Sequence, residues 1–62
     1  MIKSVIKSEM GMVIVFDEHG EQLTYYQGEY DEVKEKILRD APPDALFTKV
    51  VHTLQPVERE QW

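Results

Sequence analysis

The run Met12-Val13-Ile14-Val15-Phe16 limits what this chain can fold into more than any other stretch. Its β-branched content predicts a strand, and alternation sends Met12, Ile14 and Phe16 to one side and Val13 and Val15 to the other. Both faces are apolar, so such a strand needs cover on both. Asp17-Glu18-His19-Gly20 follows, with the composition of a four-residue connection in which Asp17 caps the turn and Gly20 takes positive φ. Glu21 to Gln27 then places Leu23 and Tyr25 on one face and Thr24 and Tyr26 on the other. Val13 to Tyr26 is therefore predicted as a β-hairpin onto which the remainder packs.

Sixty-two residues allow one small domain, which hides only about 60% of its unfolded surface and needs further burial from some source. The chain contains no cysteine, which excludes disulfides and thiolate metal clusters and fits a reducing compartment. Association with another chain is the remaining way to add burial. The segment Ile2 to Lys7 is too short and too charged for a signal peptide, and no apolar run approaches the roughly 20 residues of a membrane span. The expectation is a soluble cytoplasmic protein with no membrane contact.

The net charge of −5 is unevenly distributed. Residues 17 to 35 hold Asp17, Glu18, Glu21, Glu29, Asp31, Glu32 and Glu35 against Lys34 alone, whereas the segments on either side are close to neutral. Such a surface repels phosphate backbones, so direct nucleic-acid binding is not expected.

Taken in order, Ile2 to Ile6 has an imperfect strand alternation, with Ile2, Ser4 and Ile6 set against Lys3, Val5 and Lys7. Ser8-Glu9-Met10-Gly11 either turns the chain or marks a bulge at Gly11. Gly28 opens a helix that runs to about Arg39, its start crowded by Glu29, Asp31 and Glu32, where the helix dipole favours negative charge. Tyr30, Val33, Ile37 and Leu38 form its apolar stripe, and Glu32 with Lys36 and Glu35 with Arg39 are spaced as i,i+4 ion pairs. Ala41-Pro42-Pro43 stops it. Asp44 to Leu54 reads as a last strand, and Pro56 ends pairing. The fold expected is α+β: a small antiparallel sheet with one helix on one face, in the order β-β-α-β with an optional extra N-terminal strand. Residues 1–56 make the domain and 57–62 a C-terminal tail, mobile unless it docks, whose Trp62 is either solvated or an anchor of the dimer. One helix covers one face, so Val13, Val15, Tyr26 and either Phe47 or Leu46 are expected on the bare face, closed by a symmetric homodimer.

Catalysis needs an activated nucleophile or a tuned acid and base in a water-poor cleft, for which this chain has little volume. Ser4 and Ser8 have no histidine near them in sequence, and His19 and His52 are isolated. Asp17, Glu18, His19 and Glu21 lack the spacing of a known cation loop. No catalytic residue, metal ligand or cofactor is expected. The acidic run instead suggests a contact surface. Carboxylates at i,i+4 on a helix, such as Asp31 and Glu35, stand about 6 Å apart, on the order of the step between successive phosphates of a nucleic-acid strand. The tyrosines beside them supply contact area at low entropic cost. The partner-binding candidates are Glu29, Tyr30, Asp31, Glu32, Glu35 and Tyr26.

With the Val13-to-Phe16 run, the Asp17-x-x-Gly20-x-Gln22 loop, Tyr25-Tyr26, the acidic helix start and the Pro43-Asp44-Ala45 step, the chain resembles the short uracil-DNA glycosylase inhibitors of small Bacillus phages over Val13 to Leu54. That resemblance implies a dimeric DNA mimic. A groove between two helices would enclose a leucine of the glycosylase while acidic side chains stand in for phosphates, the matching positions being Glu29, Tyr30, Asp31, Glu32 and Glu35. The family's helix bears further aromatic residues, and Lys34 to Leu38 has none. The expected function is inhibition or regulation of a protein partner, a DNA repair or other DNA-binding enzyme, by covering its DNA-binding surface. The alternative is a small dimeric structural or adaptor protein holding a protein segment in an apolar groove.

Overall fold

The computed structural model describes residues 1–62. Two strands, β1 (Ile2–Lys7) and β2 (Met12–Asp17), form an antiparallel hairpin in which Val5 faces Val15 and Ile6 faces Ile14. The hairpin therefore lies one strand earlier than the apolar run suggests. Its turn is Ser8 to Gly11, closed by Ser8 N–H on the Met12 carbonyl at 2.8 Å and by Met12 N–H on Ser8 Oγ at 3.1 Å. A register shift between Ile2 and Ser4 turns Ile2 to the same side as Val5, which resolves the imperfect alternation of this segment.

Asp17 to Gly20 forms the expected turn. Asp17 Oδ1 accepts the His19 and Glu21 N–H groups at 2.8 and 2.9 Å, and Gly20 sits at φ +81°. The predicted return strand does not follow. One bridge joins Phe16 and Gln22, then Thr24–Tyr26 winds into a 3-10 turn, and only Gly28–Glu29 (β3) pairs with Met12 and Val13. The reason lies in Leu23 and Tyr26, both of which pack against the core. At i,i+3 they share a side of a three-residue turn and would oppose each other on a strand. The outer edge of β2 is still satisfied, with Leu23 N–H on the Val15 carbonyl at 2.8 Å and Gln27 Oε1 accepting Val15 N–H at 3.1 Å.

Helix α1 (Tyr30–Asp40) starts where Tyr30 N–H meets the Gly11 carbonyl, 2.8 Å away, and ends at Ala41 ahead of the two prolines. Gly28 at φ +148° sets the entry, and a Cβ there would stand 3.4 Å from Val33 Cγ1. The helix crosses back over the sheet to β4 (Leu46–Val51), which lies beside β1 and parallel to it, with Phe47 opposite Val5. The sheet is thus mixed, correcting the antiparallel expectation. The last predicted strand is two: His52, at φ +68°, reverses the chain into β5 (Thr53–Val57), which includes Pro56. Histidine is among the non-glycine residues that enter this region most readily. Glu9 Oε1 accepts the His52 N–H at 2.7 Å and holds the reversal. The strand order is β3-β2-β1-β4-β5, with β1 in the middle.

Beneath the helix the core contains Val5, Val13, Val15, Val33, Ile37 and Phe47, together with Trp62. Val13 and Val15 are therefore on the covered face, opposite to the expectation, and Tyr26 packs against the same core, while of the pair Phe47 and Leu46 it is Leu46 that lies on the bare face. The bare face carries the alternate residues. Phe16, Ser4 and Leu46 stand in one row, and Ile14, Ile6, Thr48 and Pro56 in the next.

Residues 58–62 do not trail away. Arg59 donates to the Ala41 and Pro42 carbonyls at 3.2 and 2.6 Å, occupying acceptors at the helix end, and its guanidinium lies 5.1 Å from the Phe47 ring centroid. Trp62 is only 4% exposed, edge-on to Tyr30 and Phe47 at 5.1 and 5.0 Å. Its main-chain oxygen accepts the Tyr30 hydroxyl at 2.9 Å and Lys7 Nζ at 3.0 Å. The indole Nε1 has no partner, a cost that the packing must offset. Trp62→Ala is expected to lower unfolding free energy by about 3–5 kcal/mol, most of what a domain this small possesses. Urea unfolding followed by far-UV circular dichroism checks it; an unchanged midpoint would mean that the tail is free.

Candidate functional site

The acidic helix start is built by the periodicity of α1. Burying Val33 and Ile37 turns Asp31, Glu32 and Glu35 outward, and Glu29, extended at φ −74° and ψ 142°, stands just ahead of them. None of these four carboxylates has a cation within ion-pair distance. The ion pairs of the chain are Met1 N with Glu18, Lys3 with Asp44, His19 with Glu18 and Arg39 with Asp40. The anticipated Glu32–Lys36 and Glu35–Arg39 pairs do not form, because both cations are engaged elsewhere. Lys36 Nζ lies 4.1 Å from the Tyr25 ring centroid, and Arg39 grips Asp40 through two hydrogen bonds of 2.8 and 3.0 Å. The helix thus presents carboxylates in no ion pair along its first half, where Lys34 is the one cation on the helix itself.

Tyr30 stands beside these acids, but its ring lies between two lysines, with Lys7 Nζ at 4.0 Å and Lys34 Nζ at 5.1 Å from the centroid. Its hydroxyl is spent on Trp62. Tyr26 belongs to the other end of the helix. Its hydroxyl donates to Asp40 Oδ2 at 2.6 Å, ten residues and about 15 Å of helix beyond Tyr30. Of the predicted contact residues, Glu29, Tyr30, Asp31, Glu32 and Glu35 are therefore brought together and Tyr26 is not. A shallow depression formed with Met10 and Gly11 adjoins Glu29, Tyr30 and Asp31, and Met10 is almost fully exposed.

The remaining acids are elsewhere. Because β2 runs from the Glu29 end to Asp17, the Asp17-to-Glu21 loop lies about 17 Å from the helix start, at the opposite end of the sheet. The acidic run is one stretch in sequence and two patches in space. In the loop, N–H donation from Glu21, and then from His19, holds the Asp17 carboxyl below its ordinary value, so its charge is used by the turn itself.

Two features were read only in part from the sequence. Tyr25 is 64% exposed, edge-on to Tyr26 at 4.9 Å, with Lys36 over its face. The bare sheet face shows Met12, Ile14, Leu46 and Leu54 to solvent; its signal was the alternation in Met12 to Phe16, legible as alternation but not as to which side the helix would choose. A second shallow depression, between Leu46, Pro56 and Arg59, opens at the edge of that face, and neither depression is lined by a serine or histidine. No helix is long and apolar enough to cross a membrane.

No family model matches the chain, and neither a curated protein nor a solved structure matches it significantly.

The Tyr26–Asp40–Arg39 cluster yields a pH prediction. The Arg39 hydrogen bonds, then that of Tyr26, bring the Asp40 carboxyl down to about 2, and the same contact raises the Tyr26 phenol. A carboxylate with a depressed native pKa contributes stability that is complete above its unfolded value and lost as pH falls through the native one. The Asp40 carboxyl carbon should therefore titrate near pH 2 by NMR, and Tyr26→Phe should move that midpoint upward. An Asp40 midpoint near 4 in the wild type would contradict the geometry.

Proposed function

We propose that this chain is an acidic interaction protein that binds a protein partner on the basic surface which that partner uses for DNA, and so inhibits or regulates it by competition. The observation behind this reading is the set Glu29, Asp31, Glu32 and Glu35, exposed together at the start of α1 and none of them in an ion pair. Asp31 and Glu35, one helical turn apart, repeat charge at about 6 Å. The adjoining Met10 offers an apolar contact at the centre of such a docking surface. Uracil-DNA glycosylase is the named candidate, from the likeness in sequence to its phage inhibitors.

A second reading draws on a separate observation. The bare sheet face suits a small dimeric structural or adaptor protein that holds a protein segment against an apolar surface without mimicry. Salt separates the two. Competition through charge weakens as screening rises, whereas apolar docking does not.

The test is uracil excision from a single-stranded oligonucleotide by purified glycosylase with the chain added. Inhibition is expected that excess DNA relieves and that falls at least about tenfold between roughly 0.05 and 0.5 M salt. The variant Glu29→Gln/Asp31→Asn/Glu32→Gln/Glu35→Gln should lose it. Excision unaffected at low salt would remove the glycosylase as target. Inhibition indifferent both to salt and to the four substitutions would overturn the acidic surface as the contact.

A further inference from the structure

The face of the sheet away from α1 is exposed, yet its rows across β1, β2, β4 and β5 carry no charge, in a chain whose residues are 31% charged; Glu29, opposite Met12, stands at its β3 edge. Ile6, Met12, Ile14, Phe16, Leu46 and Leu54 supply most of its surface, and four of them are more than a third exposed. We infer that this face is covered by a second copy of the chain, the two sheets packing face to face about a two-fold axis.

Three observations select that occupant and that geometry. The first is area. The body measures 27 × 22 × 21 Å, so one side is about a sixth of the 4364 Å² accessible surface. Roughly 700 Å² per copy, or about 1,400 Å² per pair, falls within the range of stable interfaces. The second is charge. The uncharged middle of the face gives a charged partner nothing to pair with, whereas an identical face meets it with apolar side chains against apolar side chains. Sheets stacked about 10 Å apart leave both helices on the outside. The helix carboxylates Asp31, Glu32 and Glu35 of the two copies are then separated by well over the ~8 Å screening length at physiological salt, so two chains of charge −5 can still associate. The third is the state of the sheet edges. The outer edge of β2 is occupied by Leu23, Gln27 and β3, and the outer strand β5 contains Pro56, which lacks a donor. Edge-to-edge extension is thereby discouraged on both sides, which leaves the face. The inference does not rest on Asp31, Glu32 or Glu35: the dimer forms whether or not those three carboxylates bind a partner.

Sedimentation equilibrium of the whole chain tests it. At tens of micromolar the wild type is expected at twice its 7.3 kDa chain mass. Ile14→Glu and Leu46→Glu, both at exposed positions, should return it to the mass of one chain with an unchanged circular dichroism spectrum. Lys36→Gln on the helix should remain dimeric. A wild type that stays at one chain mass up to about 1 mM, or a doubled mass that survives both glutamate substitutions, would overturn the proposal. Should those variants lose structure, isotope-filtered NOEs in mixed-label wild type decide. Contacts between copies from the Ile6 and Ile14 methyls support the face, and contacts confined to α1 overturn it.

Discussion

The rest of the molecule depends on the burial of Val5. It lies on the middle strand, between Val15 on one side and Phe47 on the other, and has no exposed surface. One contact therefore ties the N-terminal hairpin to a strand more than forty residues later in the chain. Because β4 runs parallel to β1, the chain must cross over the sheet to reach it, and only a crossover element can make that connection. Helix α1 does so with 11 residues, about 16 Å, close to the length of the strands it covers. Ile37, also fully buried, forms with Val33 the helix's contribution to this core. Trp62 then closes the open end between Tyr30 and Phe47.

Local physics made part of this legible from sequence. The helix, its stop at the prolines and the Asp17–Gly20 turn each depend on residues that are neighbours in the chain, and each was readable. The misreadings have specific causes. Leu23 and Tyr26 look like strand residues by composition, and only their three-residue spacing marks a turn. The reversal at His52 lacks the glycine or asparagine that would announce it, so two strands read as one. Trp62 finds its partners 32 residues away at Tyr30 and 55 away at Lys7, beyond any local signal. The side of β2 that the helix would cover was undetermined because both sides are apolar.

The candidate site was partly legible for the same reason. Helical periodicity brings Asp31, Glu32 and Glu35 to one exposed side, which sequence spacing alone implies. Which cations would leave them unpaired was not implied, since the diversion of Lys36 to Tyr25 depends on the 3-10 turn, and Arg39 turns to its neighbour Asp40 in place of Glu35. Nor did charge counting reveal that β2 carries the loop acids to the far end of the sheet. The molecule has two different surfaces, an acidic one along the helix and an apolar one across the sheet, with Glu29 at the β3 edge of the latter. They lie on opposite sides, so each can be engaged without obstructing the other.

Amide hydrogen exchange across the sheet tests the central placement of β1 most directly. If β1 is the middle strand, paired on both sides under α1, the Val5 and Ile6 amides exchange slowest in the molecule, while those of Thr24 to Tyr26 and of β5 exchange much faster. Protection of residues 21–27 equal to that of β2, with β1 exchanging as an edge strand, would contradict the account and restore a hairpin centred on Asp17 to Gly20.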